Sequence, residues 1–123
     1  MKQCLIVDDS PIIRKVARLI VEQLDYNVTD AENGEQALEL CQQQLPDLIL
    51  LDWQMPGMST HEFLKSYFHY FPRSSAQILY CVTEFSLDEI SLALAGGISD
   101  YIMKPFGRES LQEKIKQMTK VAA

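Results

Sequence analysis

Leu5-Ile6-Val7-Asp8-Asp9-Ser10-Pro11 carries three apolar residues straight into two carboxylates, a hydroxyl and a proline. Two later runs end in the same way: Leu48-Ile49-Leu50-Leu51 meets Asp52, and Tyr101-Ile102-Met103 meets Lys104-Pro105. Short apolar runs of this kind read as buried strands. A charge at the edge of a protein interior is costly unless something pairs with it. If the three strands lie parallel in one sheet, their carboxyl ends bring three carboxylates and one ammonium to a single edge.

Outward from the first run, strands alternate with helical periodicity. Ser10 is an N-cap with Pro11 at the first helical position, where its missing N–H would be unpaired anyway. Ile13, Val16, Ala17, Ile20 and Leu24 follow as one apolar stripe. Asn33-Gly34 signals a turn before Ala37, Leu38 and Cys41. Ser59 with Glu62, and Ser86 with Glu89, each fit a capping box. Phe63, Leu64, Tyr67, Phe68 and Phe71 recur at helical spacing and read as core, Gly96-Gly97 stops the fourth helix, and Leu111, Ile115 and Met118 give the last one a narrow apolar face.

The spacing predicts strands at 3–8, 27–31, 47–52, 77–82 and 99–103, with helices at 11–24, 35–44, 60–71, 87–95 and 107–119. This is the pattern of βαβ units, an α/β protein with a parallel sheet. Right-handed crossovers favour the doubly wound strand order 2-1-3-4-5, with a ligand crevice at the carboxyl ends of the first and third strands. No repeat, low-complexity tract or linker interrupts the pattern, and residues 1–123 are expected to form one domain.

Composition narrows the function classes. With 47% hydrophobic and 23% charged residues, the chain is ordinary for a globular protein. A formal net charge of -6 argues against a nucleic-acid binder, which would show a basic face. Met1-Lys2-Gln3 leads directly into the run Cys4 to Val7, too short for a signal peptide or a membrane span. Cys4, Cys41 and Cys81 are scattered and odd in number, so free buried thiols and a cytoplasmic location are expected, with no membrane partner.

The strand order sets Asp8 and Asp9 beside Asp52. Three carboxylates so close repel one another, and a hard divalent cation relieves the repulsion; Mg²⁺ prefers carboxylate, carbonyl and water oxygens. Asp52 is then placed to attack phosphorus and form an acyl phosphate. Lys104 supplies a second positive point, and the Thr83 hydroxyl, after the fourth strand, can donate to a phosphoryl oxygen.

The ordered motifs resemble a bacterial two-component response regulator receiver domain of the single-domain, chemotaxis-regulator type, with its flavodoxin-like fold of five strands and five helices. They are Ile6-Val7-Asp8-Asp9-Ser10, Asp30-Ala31-Glu32-Asn33-Gly34-Glu35-Gln36-Ala37-Leu38, Pro46 to Asp52, Met55-Pro56-Gly57-Met58 and Asp100 to Phe106. The resemblance implies that Asp52 is the phospho-acceptor, that Asp8 and Asp9 hold Mg²⁺, and that the backbone carbonyl of Gln54 is a further ligand. It implies that Thr83 and Tyr101 form a switch pair, that Lys104 binds the phosphoryl group, and that the bond before Pro105 is cis. A sensor histidine kinase or phosphotransfer protein would be the donor. The face of the fourth helix, fifth strand and fifth helix would bind a target protein or a second copy of the chain. Such a module is a switch and not an enzyme, its only chemistry being its own phosphorylation and dephosphorylation.

Two features depart from that pattern. Ser59-Thr60 stands where the family favours Asp-Gly, and Glu84 follows Thr83 where a small residue is usual. Glu84 places negative charge beside an incoming dianion and is expected to slow transfer. Phe85 and Gln54 occupy positions expected to tune access of water to the acyl phosphate. Taken singly, each residue has a plainer reading: an acidic helix start for Asp8-Asp9, a strand end for Asp52, a surface turn for Lys104-Pro105, and ordinary packing for Thr83 and Tyr101. His61 and His69 read as surface or helix-packing residues. Three other functions compete. A Mg²⁺-dependent phosphatase of haloacid dehalogenase type would want Asp-x-Asp where Asp8-Asp9-Ser10 stands. A flavin module would want hydroxyls in place of the two acids. A receiver-like binding module would work without phosphate.

Overall fold

The computed structural model describes residues 1–120. Ten elements alternate: β1 Lys2–Val7, α1 Pro11–Glu22, β2 Tyr26–Ala31, α2 Gly34–Gln43, β3 Leu48–Asp52, α3 Thr60–Tyr70, β4 Gln77–Val82, α4 Leu87–Gly96, β5 Asp100–Met103 and α5 Arg108–Lys120. All strand pairings are parallel and the sheet order is β2-β1-β3-β4-β5, the expected doubly wound arrangement. The register aligns Val7 with Leu51, Asp52 with Cys81 and Val82 with Met103, so the strands finish nearly level at one edge.

Strand alternation feeds two cores. Leu5, Val7, Ile49, Leu51 and Tyr80 face one way and pack on Phe63, Leu64 and Tyr67 of α3. Cys4, Ile6, Leu48, Leu50 and Cys81 face the other way and pack on Ala17, Ile20 and Val21 of α1 and Leu111, Ile115 and Met118 of α5. Every residue of β3 is buried, the mark of a strand covered by helices on both faces. The aromatic series of α3 is therefore core, with Phe63 and Tyr67 fully buried.

Local signals account for the helix ends. The Ser10 and Asn33 side chains accept from the backbone N–H groups of Ile13 and Gln36. Ser59 and Glu62 form a complete capping box at α3. At α4 only half of the expected box forms: the Glu89 N–H donates to Ser86, while the Glu89 carboxylate turns away to other partners. Gly97 ends α4 at φ 116, where a Cβ would also run into the Phe68 ring.

The stripe on α1 is rotated from its expected position. Ala17, Ile20 and Val21 are its buried centre, whereas Val16 is 44% exposed and lies with Ile12 and Leu19 on the outer side. Leu24 falls beyond the helix end and packs from there on the α1 and α5 core. All three cysteines are free and buried, as expected. Burial pushes the Cys41 thiol up to about 11 and the Cys81 thiol up to about 12, so neither is a ready nucleophile.

Candidate functional site

The level strand ends bring the residues together. Asp8 follows β1 and Asp52 closes β3; each is only 4% exposed, while Asp9 is open to solvent. Ligand oxygens of the three carboxylates lie within 4.8 Å of one another. Lys104 arrives from the end of β5, and its Nζ sits 2.9 Å from Asp52 Oδ1 and 3.0 Å from Asp8 Oδ2. The peptide bond between Lys104 and Pro105 is cis, as the sequence resemblance implied.

Backbone geometry holds these groups in place. The Lys104 N–H donates to the Val82 carbonyl, and the Asp8 N–H to that of Ala31. The Ser10 N–H donates to Asp8 Oδ1, so the carboxylate that meets Lys104 also starts α1. Arg14 donates to the Asp8 carbonyl at 2.7 Å from the first turn of α1, a contact the sequence reading did not find. Thr60, buried at the start of α3, donates to the Asp52 carbonyl at 2.9 Å and lies 3.1 Å from that of Trp53. Thr60 thus fastens the loop that carries Asp52 and Gln54, a role that its departure from the family pattern did not reveal.

Burial raises the Asp52 pKa; Lys104 pulls it down and Asp8 pushes it up again. Burial disfavours the charge on Lys104, but the hydrogen bonds to Asp52 and Asp8 outweigh it and the amine stays cationic. One ammonium against three carboxylates leaves the edge with a formal charge of about two negative units, and a second cation would offset it. Oxygen donors at this spacing suit a hard divalent ion such as Mg²⁺.

The other expected site residues lie around the same edge. Thr83 and Glu84 are exposed just past β4. Tyr101 is half-buried, pairs in register with Tyr80, and stacks at a tilt on the exposed Phe85 with ring centroids 5.9 Å apart. Lys114 of α5 also lies over the Tyr101 ring, 6.0 Å from its centre, and is bonded to Asp100. His61, expected to lack a specific partner, has one: its Nε2 lies 2.9 Å from Glu89 Oε1, because α3 packs beside α4. His69 remains on the surface, edge-on to Tyr70.

An acid pair after the first strand, a buried Asp closing the third and a lysine before a cis-proline, gathered at the carboxyl edge of a 2-1-3-4-5 sheet, match a receiver-type signalling module. The chain belongs to the response regulator receiver domain family, whose model matches residues 4–116. It is 31% identical over 95% of its length to the chemotaxis protein CheY of Halobacterium salinarum, of which it covers 96%. It is 34% identical over 94% of its length to the phosphate regulon transcriptional regulatory protein PhoB of Pseudomonas aeruginosa, of which it covers 50%. Among solved structures, chemotaxis protein CheY4 of Vibrio cholerae superposes with a TM-score of 0.90 at 30% identity, covering 96% of this chain and 98% of that one. The chain is therefore a receiver domain of two-component response regulators, a class of signalling switches and not classical enzymes. No helix among the described residues is long and apolar enough to cross a membrane.

Proposed function

We propose that residues 1–123 act as one receiver domain that accepts a phosphoryl group on Asp52 in a Mg²⁺-dependent reaction. The observation that carries this reading is the Lys104 ammonium bridging Asp8 and Asp52 inside a cluster of three carboxylates. The donor is a phosphohistidine on a sensor kinase or phosphotransfer protein. An Asp52 carboxylate oxygen attacks phosphorus, the P–N bond breaks, and its electron pair returns to the donor imidazole, which takes up a proton. Asp8, Asp9, Asp52 and the Gln54 carbonyl would hold Mg²⁺, which supplies charge neutralisation on the transferring group. Lys104 moves from the bare carboxylates to a phosphoryl oxygen, and the Thr83 hydroxyl donates to another.

The consequence is a conformational shift. Thr83 drawn inward leaves room for the Tyr101 ring to leave Phe85, which changes the face formed by α4, β5 and α5. That face then binds a target protein or a second copy. Its exposed Leu87, Leu92, Leu94 and Met103 provide apolar contact area. Phe85, Glu84 and Gln54 line the way in and set how readily water and donor reach Asp52.

Incubation with Mg²⁺ and a small acyl-phosphate donor is expected to add one phosphoryl mass to the wild type and none to Asp52→Asn. Uptake that survives Asp52→Asn or the removal of Mg²⁺ would overturn the reading. Glu84→Ala is expected to speed uptake severalfold by removing repulsion of the incoming dianion; equal rates would show that the carboxylate stays clear of the donor.

A further inference from the structure

A second polar cluster sits one helix away from the acids. Tyr80, fully buried in β4, donates its hydroxyl to Glu89 Oε1 at 2.7 Å. His61 Nε2 meets the same oxygen at 2.9 Å. Glu89 lies in the first turn of α4, so one carboxylate oxygen ties a strand and two helices together. The choice of partners is informative. Glu62 of α3 returns its carboxylate to the Ser59 N–H and completes a capping box, whereas Glu89, offered the same box by Ser86, leaves it for Tyr80 and His61. Burial and the bond to Glu89 both push the Tyr80 hydroxyl well above its usual range, so it remains a donor.

The cluster adjoins the acceptor through consecutive residues. Thr60 precedes His61 in the first turn of α3 and donates to the Asp52 carbonyl. Tyr80 is the register partner of Tyr101 on β5.

We propose that Glu89 is a latch that holds α4 against β4 and α3, and that the Thr60–His61 corner couples this latch to the acceptor strand. Its coupling half rests on Asp52 being the phosphoryl acceptor. With the latch closed, the first turn of α4 is fixed in the unphosphorylated arrangement. Opening it frees α4 to move and lowers the cost of the phosphorylated one.

The test uses the full chain without phosphoryl donor, with amide exchange followed by mass spectrometry. Tyr80→Phe keeps the buried ring and removes only the donor; Glu89→Ala removes the acceptor and leaves the backbone cap to Ser86. Both are expected to speed exchange in α4 about tenfold or more, as the loss of one charge-assisted hydrogen bond implies, with α1 and α5 unchanged. Glu62→Ala, which breaks the neighbouring box, is expected to leave α4 as it was. Unchanged α4 exchange in both latch variants would overturn the latch. The rate of acyl-phosphate formation from a small donor is expected to rise in the same variants. Faster exchange with a wild-type rate would overturn the coupling. A wild type that takes up no phosphoryl group would overturn the acceptor reading and the coupling built on it, while exchange still decides the latch.

Discussion

The cluster of Asp8, Asp52 and Lys104 and the cluster of Tyr80, Glu89 and His61 contain similar groups and are built on opposite principles. In the first, two nearly buried carboxylates share one ammonium and a third acid stands beside them, so negative charge is in surplus. In the second, one carboxylate oxygen receives a phenol and an imidazole, and the Glu89 side chain is 31% exposed. No buried side-chain polar atom among the described residues lacks a partner, so the surplus is one of charge and not of hydrogen bonding. A cluster that leaves charge unbalanced is prepared to receive something; a cluster that closes on itself is a fastening.

The strongest test of that contrast removes the single cation. Lys104→Met leaves the Asp8 and Asp52 carboxylates facing each other without a counter-charge. Breaking a buried pair from one side costs about 3–5 kcal/mol. In urea unfolding without divalent ions the variant is expected to lose stability on that scale, and millimolar Mg²⁺ is expected to return a sizeable part of it, since the ion takes over the neutralising role. A loss of the same size with and without Mg²⁺ would break the comparison, because the acids would then behave as a closed cluster.

A smaller effect separates fastening from charge within the loop that follows Asp52. Thr60→Val keeps shape and branching but strips the donor from the Asp52 carbonyl, a buried acceptor. An unsatisfied buried group costs about 1–3 kcal/mol. Thr60→Ser, which keeps the hydroxyl, is expected to recover most of that stability in the same denaturation experiment. A Thr60→Val variant as stable as the wild type, with the loss appearing in Thr60→Ser instead, would assign the role of Thr60 to packing of its methyl group.

The two clusters also differ in how far the sequence discloses them. Asp8, Asp52 and Lys104 are each fixed by the end of a strand, and strand ends follow from short apolar runs and the doubly wound order. Their meeting is a consequence of topology, which the residues announce. Tyr80, Glu89 and His61 meet only because α3 packs beside α4 at a particular rotation, and periodicity does not specify that rotation. The same limit explains Val16, whose helix was legible while its facing was not, and Glu89, whose spacing from Ser86 fits a capping box that a tertiary partner outcompetes. Thr60 was visible only as a departure from the family pattern; its hydrogen bond depends on where the loop after β3 returns.

Acid provides the finest discrimination, because the clusters respond to it with opposite sign. Glu89 is held below its ordinary value of 4.5, chiefly by the Tyr80 hydrogen bond and then, against some burial, by His61. A carboxyl lowered on folding contributes stability that is fully present above 4.5 and is lost as pH falls through the lowered folded value. Asp52 is raised above its ordinary value of 3.8, mainly by burial, so its ionised form is a liability at neutral pH that protonation relieves. Tyr80→Phe removes the largest cause of the Glu89 shift. The stability gap between wild type and Tyr80→Phe is therefore expected to be widest near pH 7 and to narrow as pH falls below 4.5. For Asp52→Asn in metal-free buffer, any stability gained at pH 7 is expected to shrink on acidification, because the wild-type acid then sheds its own charge. Unfolding by urea at a series of pH values checks both. Parallel curves for wild type and Tyr80→Phe would mean that Glu89 keeps its low pKa without the phenol, and that the latch is held by His61 alone.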